Sequence, residues 1–311
     1  MTDRAPFHKG EIAVQDREGV RGQARRVGGI IEAALAPSAR AFLSRQPFVI
    51  AGGADAVGRP WASLLTGAPG FLAAPGARTV RVGATPVPGD PLDDGLRPGA
   101  ALGLLAIDLE ARRRVRVNGT VVALEGAGFT LRTAEVFANC PQYIQRRAWR
   151  RDAATGDAQR GVTRGAALTP EQAVLVAGSD TFFIATAHAE RGADVSHRGG
   201  DAGFVRVADA HTLSWPDYRG NNMFQTLGNL AVDPRAGLLF LDFARGDTLQ
   251  LTGRATVDWD PTRAAAFPGA ARVIDFALEA VVAIADASPL RWRFGNYSPS
   301  NPSCERAQAT A

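Results

Sequence analysis

Short apolar runs separated by turn-forming residues set the pattern of this chain. Phe48 to Ala51 and Phe182 to Ala185 are runs of the length and composition of buried strands. Leu102 to Asp108 followed by Val115 to Val122 predicts a hairpin, as does Gly237 to Phe243 followed by Leu249 to Val257. In the second of these, Thr248, Gln250 and Thr252 alternate with Leu249 and Leu251, the period of a strand with one buried face. The connection Ala244-Arg-Gly-Asp247 supplies the glycine that a tight turn favours. Helices are expected beside the strands. Thr169-Pro-Glu-Gln172 has a capping-box pattern with proline at the first helical position, opening a helix toward Ala177. Asn139-Cys-Pro-Gln142 opens a second, running through Tyr143 and Ile144. Phe276 to Ala287, carrying Glu279 and Asp286, reads as an amphipathic third, too short and too charged to span a bilayer.

The pattern repeats. Phe48, Ile50, Ala51 and Gly58 match Phe182, Ile184, Ala185 and Gly192, each 134 positions later. Gly103, Leu104, Leu105 and Asp108 match Gly237, Leu238, Leu239 and Asp242, and Gly119 matches Gly253, at the same offset. Blocks so far apart at one offset argue for tandem duplication. The same subtraction sets Val273 to Ala285 against the helix expected at Asn139. Arg150 to Ala167 has Gly156, Gly161 and Gly165, little apolar content and no period, so it reads as a linker. The expected division is 1–150, a linker at 151–167, and 168–311. The halves differ at one telling place: Gly220-Asn-Asn222 corresponds to Pro86-Val-Pro88, and Met223 to Asn229 to Gly89 to Gly95. Proline lacks the backbone N–H that anion binding uses. One competent site per pair is expected, built mainly by the second half.

Composition narrows the function classes. The chain has 311 residues, 46% hydrophobic and 21% charged, which is globular. Mean hydropathy is −0.07. The N-terminus shows no apolar stretch with a small-residue cleavage site, so no secretion signal is expected. Cys140 and Cys304 are too few for a disulfide framework or a cysteine zinc site, and the four histidines are scattered. The expectation is a cytoplasmic protein without a metal. Net charge is +4, and Lys9 is the only lysine. Arg112-Arg-Arg114 and Gln145-Arg-Arg-Ala-Trp-Arg-Arg151 are dense basic runs, read as a solvated strand end and a helix end entering the linker. No recognition motif accompanies them, so nucleic acid is not an expected partner.

Asp194-Val-Ser-His-Arg-Gly-Gly200, Trp215-Pro-Asp-Tyr-Arg-Gly-Asn-Asn222 and Thr226-Leu-Gly-Asn229 concentrate polar donors, glycines and aromatics within a span of apolar strands. Ser196, Asn221, Asn222, Thr226 and Asn229 are neutral donors. Arg198 and Arg219 carry fixed charge in a fork suited to phosphate. Gly220-Asn-Asn222 precedes an expected helix, Met223 to Ala231, whose N-terminus attracts phosphate. Trp215 and Tyr218 offer flat surfaces. Each residue alone suits a turn or a cap. Together, and absent from the sister half, they point to a phosphorylated aromatic ligand.

These motifs resemble the pyridoxamine 5′-phosphate oxidase-related, FMN-binding split-barrel proteins, and in particular the longer bacterial branch of that group. Phe7-His-Lys-Gly-Glu11 with Gln15, Asn139-Cys-Pro-Gln-Tyr-Ile-Gln145, Gly203-Phe204, Asp233-Pro-Arg-Ala-Gly-Leu-Leu-Phe240 and Leu251-Thr-Gly-Arg-Ala255 extend the likeness over most of the chain. The resemblance implies a mainly β fold with flanking helices: two tandem split β-barrels imitating, within one chain, a dimer that holds FMN between barrels. Carried over by position, Asn221, Asn222 and Thr226 would hold the phosphate, with Gly220 allowing close approach. Ser196, His197 and Arg198 would lie along the isoalloxazine ring, oriented by Asp217 and Asn229. His197 and Arg198 are the candidates for catalysis. His8 is expected to dock the N-terminal arm, and Trp61 and Ser63, aligned with Val195 and His197, to line the far side of the cleft.

The chain departs from the oxidase proper. It lacks that enzyme's arginine- and lysine-rich phosphate pair and its C-terminal substrate-phosphate arginine motif. The reading is therefore an FMN-dependent oxidoreductase passing hydride or electrons from an external donor, NAD(P)H or a separate reductase, to a small acceptor. The alternative is a non-catalytic carrier or sensor of flavin or haem on the same fold. An intramolecular pair predicts a functional monomer, whereas pairing through the second halves predicts a homodimer with two flavins. No membrane partner is expected.

Overall fold

The computed structural model describes residues 5–152 and 160–302. Cys304 and the middle of the expected linker lie outside them. Three helices lead in: α1 (Lys9–Arg17), α2 (Arg21–Gly28) and α3 (Pro37–Leu43). Seven strands follow: β1 (Phe48–Ala54), β2 (Pro60–Thr66), β3 (Leu72–Gly76), β4 (Thr79–Val82), β5 (Ala101–Asp108), β6 (Arg113–Glu125) and β7 (Gly128–Asn139). After β8 (Arg147–Arg151), β9 (Val162–Gly165) and α4 (Pro170–Gly178) come β10 (Thr181–His188), β11 (Gly192–Gly199), β12 (Arg206–Val207) and β13 (Thr212–Asp217). The chain closes with α5 (Gln225–Val232), β14 (Arg235–Leu241), β15 (Thr248–Asp258), α6 (Pro261–Ala265), β16 (Arg272–Ile284) and β17 (Leu290–Phe294).

Two large antiparallel sheets have the same topology. The first runs β2-β1-β5-β6-β7-β4-β3 and the second β11-β10-β14-β15-β16-β13-β12, with β9 added beside β16. The fold is thus mainly β, in two split-barrel units. Both expected hairpins form, β5 with β6 and β14 with β15. The turn between the latter two holds Gly246 at φ 77°. The capping box at Thr169 opens α4: the Thr169 side chain accepts from the Gln172 N–H, and Gln172 reaches back to the Thr169 N–H.

Two expected helices are absent. Arg272–Ile284 is the long strand β16. Ile274, Phe276 and Leu278 are buried while Ala277 and Glu279 are exposed, a period of two. Its alanines, leucine and glutamate are good helix formers, but pairing with β15 and β13 overrides propensity. At Asn139 the chain leaves β7 and turns: Tyr143 sits at φ 63°, which no helix accommodates. The Arg147–Arg151 run is then a strand paired with β17, not a helix end. Part of the stretch expected as linker, Val162–Gly165, is likewise strand β9.

Each unit has its own apolar core, one around Phe129, Leu104 and Val117, the other around Phe182, Trp215 and Phe276. A third apolar cluster joins the units. Phe48, Ile50, Leu64, Leu105 and Ile107 pack against Phe183, Val195, Leu239 and Leu241, with Leu290 and Trp292 closing one end. Each such side chain contributes roughly 1.5–3 kcal/mol by leaving water. The contact is reciprocal. A Cβ on Gly103 would lie 2.9 Å from the Cα of Asp194, and one on Gly237 would lie 2.5 Å from the Cα of Trp61. Glycine at both positions lets each β5-type strand touch the backbone of the other unit's β2-type strand. Gly237→Val is expected to destabilise the fold by about 1–3 kcal/mol through overpacking, read as a lowered urea midpoint; an unchanged midpoint would mean that the seam does not hold the units together.

Candidate functional site

The reciprocal packing sets up two corresponding clefts, and they differ. Matching the two seam glycines aligns β2 with β11 at an offset of 133, so Ser63 corresponds to Ser196 and Trp61 to Asp194. On the β6-type strands, Arg116 corresponds to Gln250 at 134. In the β7-type strands the offset grows to 145, Thr133 facing Gly119 as Leu278 faces Gly253. The 134 offset therefore fails for Asn139.

One cleft is closed by side chains. Trp61 packs with Val282, Ile284, Val87 and Val162. The Gln250 side chain donates to the Ala62 carbonyl, to Ser63 Oγ and to Asp90, and Ser63 donates to Asp90 at 2.6 Å. Burial pushes the Asp90 carboxyl up to about 6, although these bonds favour its charged form. Trp61 and Ser63 thus fill the degenerate cleft and do not line the far side of the open one.

The open cleft is lined by both units. From the second come His197, Arg198, Asp217, Tyr218, Gly220, Asn221, Asn222, Gln225 and Thr226, and from the first Arg114, Arg116, Asn139, Cys140, Gln142 and Tyr143. Of the residues expected at the site, seven line this cleft. Ser196 lies just behind, its hydroxyl 3.0 Å from Thr226 Oγ1 and 3.2 Å from Asp194. Asn229 faces away: it accepts from His8 at 3.0 Å and donates to Thr186 at 2.9 Å. Trp215 offers no surface to a ligand, being fully buried against Phe182 and Phe276. Tyr218 instead stacks at a tilt on Tyr143 across the units.

The loop entering α5 is shaped backbone. Asn222 and Phe224 both have φ near 60°, and the Asn221 side chain accepts the Met223 N–H. The N-terminal arm holds this loop from behind. Gln15 donates to the Met223 carbonyl, Asn222 donates to Gln23, and Glu18 pairs with Arg272 beside Asp217. Helices α1 and α5 touch backbone to backbone, since a Cβ on Gly10 would lie 2.1 Å from the Gly228 carbonyl oxygen. His8 anchors the arm: its Nδ1 accepts from Gly10, so Nε2 carries the proton donated to Asn229. Burial, then the neighbouring His188, lowers its pKa to about 4.

Arginines dominate the floor. Arg116 donates to Asp194 and Gln225, and Arg198 lies 4.0 Å from Asp217. Asp217 is shared with Arg272. Arg114 donates to His197 Nδ1 at 3.1 Å. Guanidinium has no acceptor, so His197 must be the neutral tautomer protonated at Nε2. Burial, reinforced by Arg114 and Arg198, holds its pKa well below the usual histidine value. Burial, with Arg116 and Arg198 nearby, lowers that of Arg114 to about 9. Four buried polar atoms of the lining residues have no hydrogen-bond partner among the described residues: Arg114 Nε, Arg116 Nε, Asn139 Oδ1 and His197 Nε2. Buried polar groups are normally satisfied, so such a cluster fits a polar ligand. The chemistry of the set, cationic forks beside amide and hydroxyl groups at a helix start, fits a phosphate-bearing planar molecule.

The first unit contributes Arg114 and Arg116 to the open cleft, in place of the expected Trp61 and Ser63. Arg114 and Arg116 alternate with Val115 and Val117 along β6, a signal that one face of this strand is charged yet covered. Only the pairing of the units shows what covers it.

Residues 168–290 match the family model described as pyridoxamine 5′-phosphate oxidase. Among solved structures, a HupZ variant from Group A Streptococcus is 17% identical with a TM-score of 0.32, over 37% of this chain and 98% of that one. A FAD-binding protein from Mesorhizobium loti is 13% identical, TM-score 0.29, over 40% and 98%. An FMN-binding protein from Syntrophomonas wolfei is 12% identical, TM-score 0.26, over 35% and 81%. Comparison with curated proteins finds no match.

Glu11 offers a test of the arm. It accepts the His8 N–H at 2.7 Å, and burial raises its pKa from 4.5 to about 8. Between those values the folded chain keeps a proton that the unfolded chain has released, so this group's contribution falls as pH rises from about 4.5 to about 8. Glu11→Gln should match the wild type in stability near pH 4 and exceed it at pH 8, by at most a few kcal/mol. Parallel melting curves across that range check this, and an equal pH slope in both proteins would contradict it.

Proposed function

We propose, from the match of residues 168–290 to the pyridoxamine 5′-phosphate oxidase family model, that the chain is a cytoplasmic flavoprotein holding one FMN in its open cleft. It passes hydride or electrons between an external donor, a reduced nicotinamide or a separate reductase, and a small acceptor. The observation that carries this reading is the open cleft itself, where both units bring arginines, unpartnered buried polar atoms and the α5 loop together.

FMN, once bound, supplies the redox chemistry at its ring. The chain's residues bind and orient. Asn221, Thr226 and the first turn of α5 serve the phosphate, with Arg198 at hand. Asn222 is tied to Gln23 and acts by fixing the loop. His197 is neutral and offers a proton at Nε2, which suits it to donate to a ring acceptor rather than to act as a base. No helix among the described residues is long and apolar enough to cross a membrane.

Purified protein mixed with FMN and freed of excess should keep flavin bands at one flavin per chain, because the second cleft is filled. Sedimentation should show the loaded species as a monomer. Arg198→Gln should weaken FMN about 10- to 100-fold with unchanged circular dichroism, the loss of a charge-assisted bond. A protein that retains no FMN would end this proposal. Bleaching of the bands by NADH or NADPH under nitrogen would support the oxidoreductase; bands that no nicotinamide or reductase bleaches would favour a flavin carrier.

A further inference from the structure

Arg114 is the residue of this cleft whose charge is unanswered. It is half-buried at the floor with its Nε shielded from solvent, and no carboxylate among the described residues pairs with it. Its neighbours Arg116 and Arg198 each have an aspartate, Asp194 and Asp217. Arg114 instead donates to His197, which that contact keeps neutral, and its Nε has no partner. A guanidinium partly withdrawn from water without a counter-charge is costly, and repulsion from the two other arginines adds to the cost. Such a group persists where a ligand supplies the missing charge.

We propose that Arg114, a residue of the first unit, is the anion-recognition residue of the cleft and that it binds an oxyanion, a carboxylate or a phosphate. This rests on the open cleft being the ligand site. The degenerate unit has then lost its own site and been kept as the donor of this guanidinium. Its counterpart in the filled cleft is Thr248, 134 positions on, so the charge is present only on the open side. Arg116 lies two residues along β6, about 7 Å away, and reaches toward Gln225 at the start of α5. Arg114 lies at the other end, with His197. The oxyanion has two sources: the phosphate of the cofactor, or the acid group of a reactant beside it.

The test uses the full chain as wild type, Arg114→Gln and Arg114→Lys. In flavin-free, phosphate-free buffer, Arg114→Gln should melt above the wild type, because an unpaired and partly desolvated charge is gone; loss of a merely structural contact would lower the melting temperature. Millimolar inorganic phosphate should raise the melting temperature of the wild type and of Arg114→Lys, and leave Arg114→Gln unmoved. FMN and riboflavin affinities then identify the source. If the cofactor phosphate is the ligand, Arg114→Gln weakens FMN at least tenfold and leaves riboflavin unchanged. If a reactant is the ligand, both flavins bind alike, and oxalate, read by the shift of the flavin band in the loaded protein, weakens at least tenfold. Equal phosphate, FMN and oxalate affinities in wild type and Arg114→Gln would overturn the proposal. A wild type that binds neither flavin would end the flavoprotein reading, while the phosphate arm would still decide this one.

Discussion

The apolar seam between the two sheets is the contact on which the rest depends. Phe48, Ile50, Leu105, Phe183 and Leu239 bury one another across it, and Gly103 and Gly237 allow strand backbones to meet. Hydrophobic burial is non-directional, so the seam by itself would tolerate sliding. The paired glycines, each against the opposite strand's backbone, fix the register. Once the register is fixed, β6 of the first unit must lie over β11 and α5 of the second, and β15 over β2. Both clefts are consequences of that one docking.

The two clefts then show how two sheets of the same topology are used unequally. Where Ser196 meets Thr226, Ser63 meets Asp90, and where Arg116 enters one cleft, Gln250 enters the other. In the closed cleft Asp90 answers Ser63 and the Gln250 amide nitrogen, Gln250 Oε1 and Thr248 Oγ1 stay without a partner among the described residues, and Trp61 and Val282 fill the remaining space. In the open one, four buried polar atoms have no partner among the described residues. The difference is one of charge balance as much as of space. The closed cleft holds a carboxylate among its polar groups, whereas the open one concentrates arginines.

Order in the α5 loop comes from elsewhere in the chain. Left-handed Asn222 and Phe224 are unfavourable by themselves, and such conformations persist when surroundings over-determine them. Gln15, Glu18 and Gln23 of the arm supply that determination, and His8 and Asn229 lock the arm to α5. The loop is therefore held from behind by the arm and faces the first unit's arginines in front.

The sequence by itself determined the two hairpins, the second with its glycine turn, and the α4 capping box, because each rests on local period or local stereochemistry. It also marked His197, Arg198, Asp217, Gly220, Asn221, Asn222 and Thr226, whose density in one stretch needed no partner to be visible. Only the tertiary structure decided the rest. Arg272–Ile284 carries helix-forming residues and became a strand because two neighbours offered hydrogen bonds along its length. Asn139–Ile144 became a turn because Tyr143 adopts a left-handed conformation and its N–H donates to Ser298. Asn229 and Trp215 belong to the arm contact and the core. Arg114 and Arg116 are at the site because another unit's strand lies opposite theirs, and no spacing along one chain encodes which charge on a strand will face solvent and which a cleft.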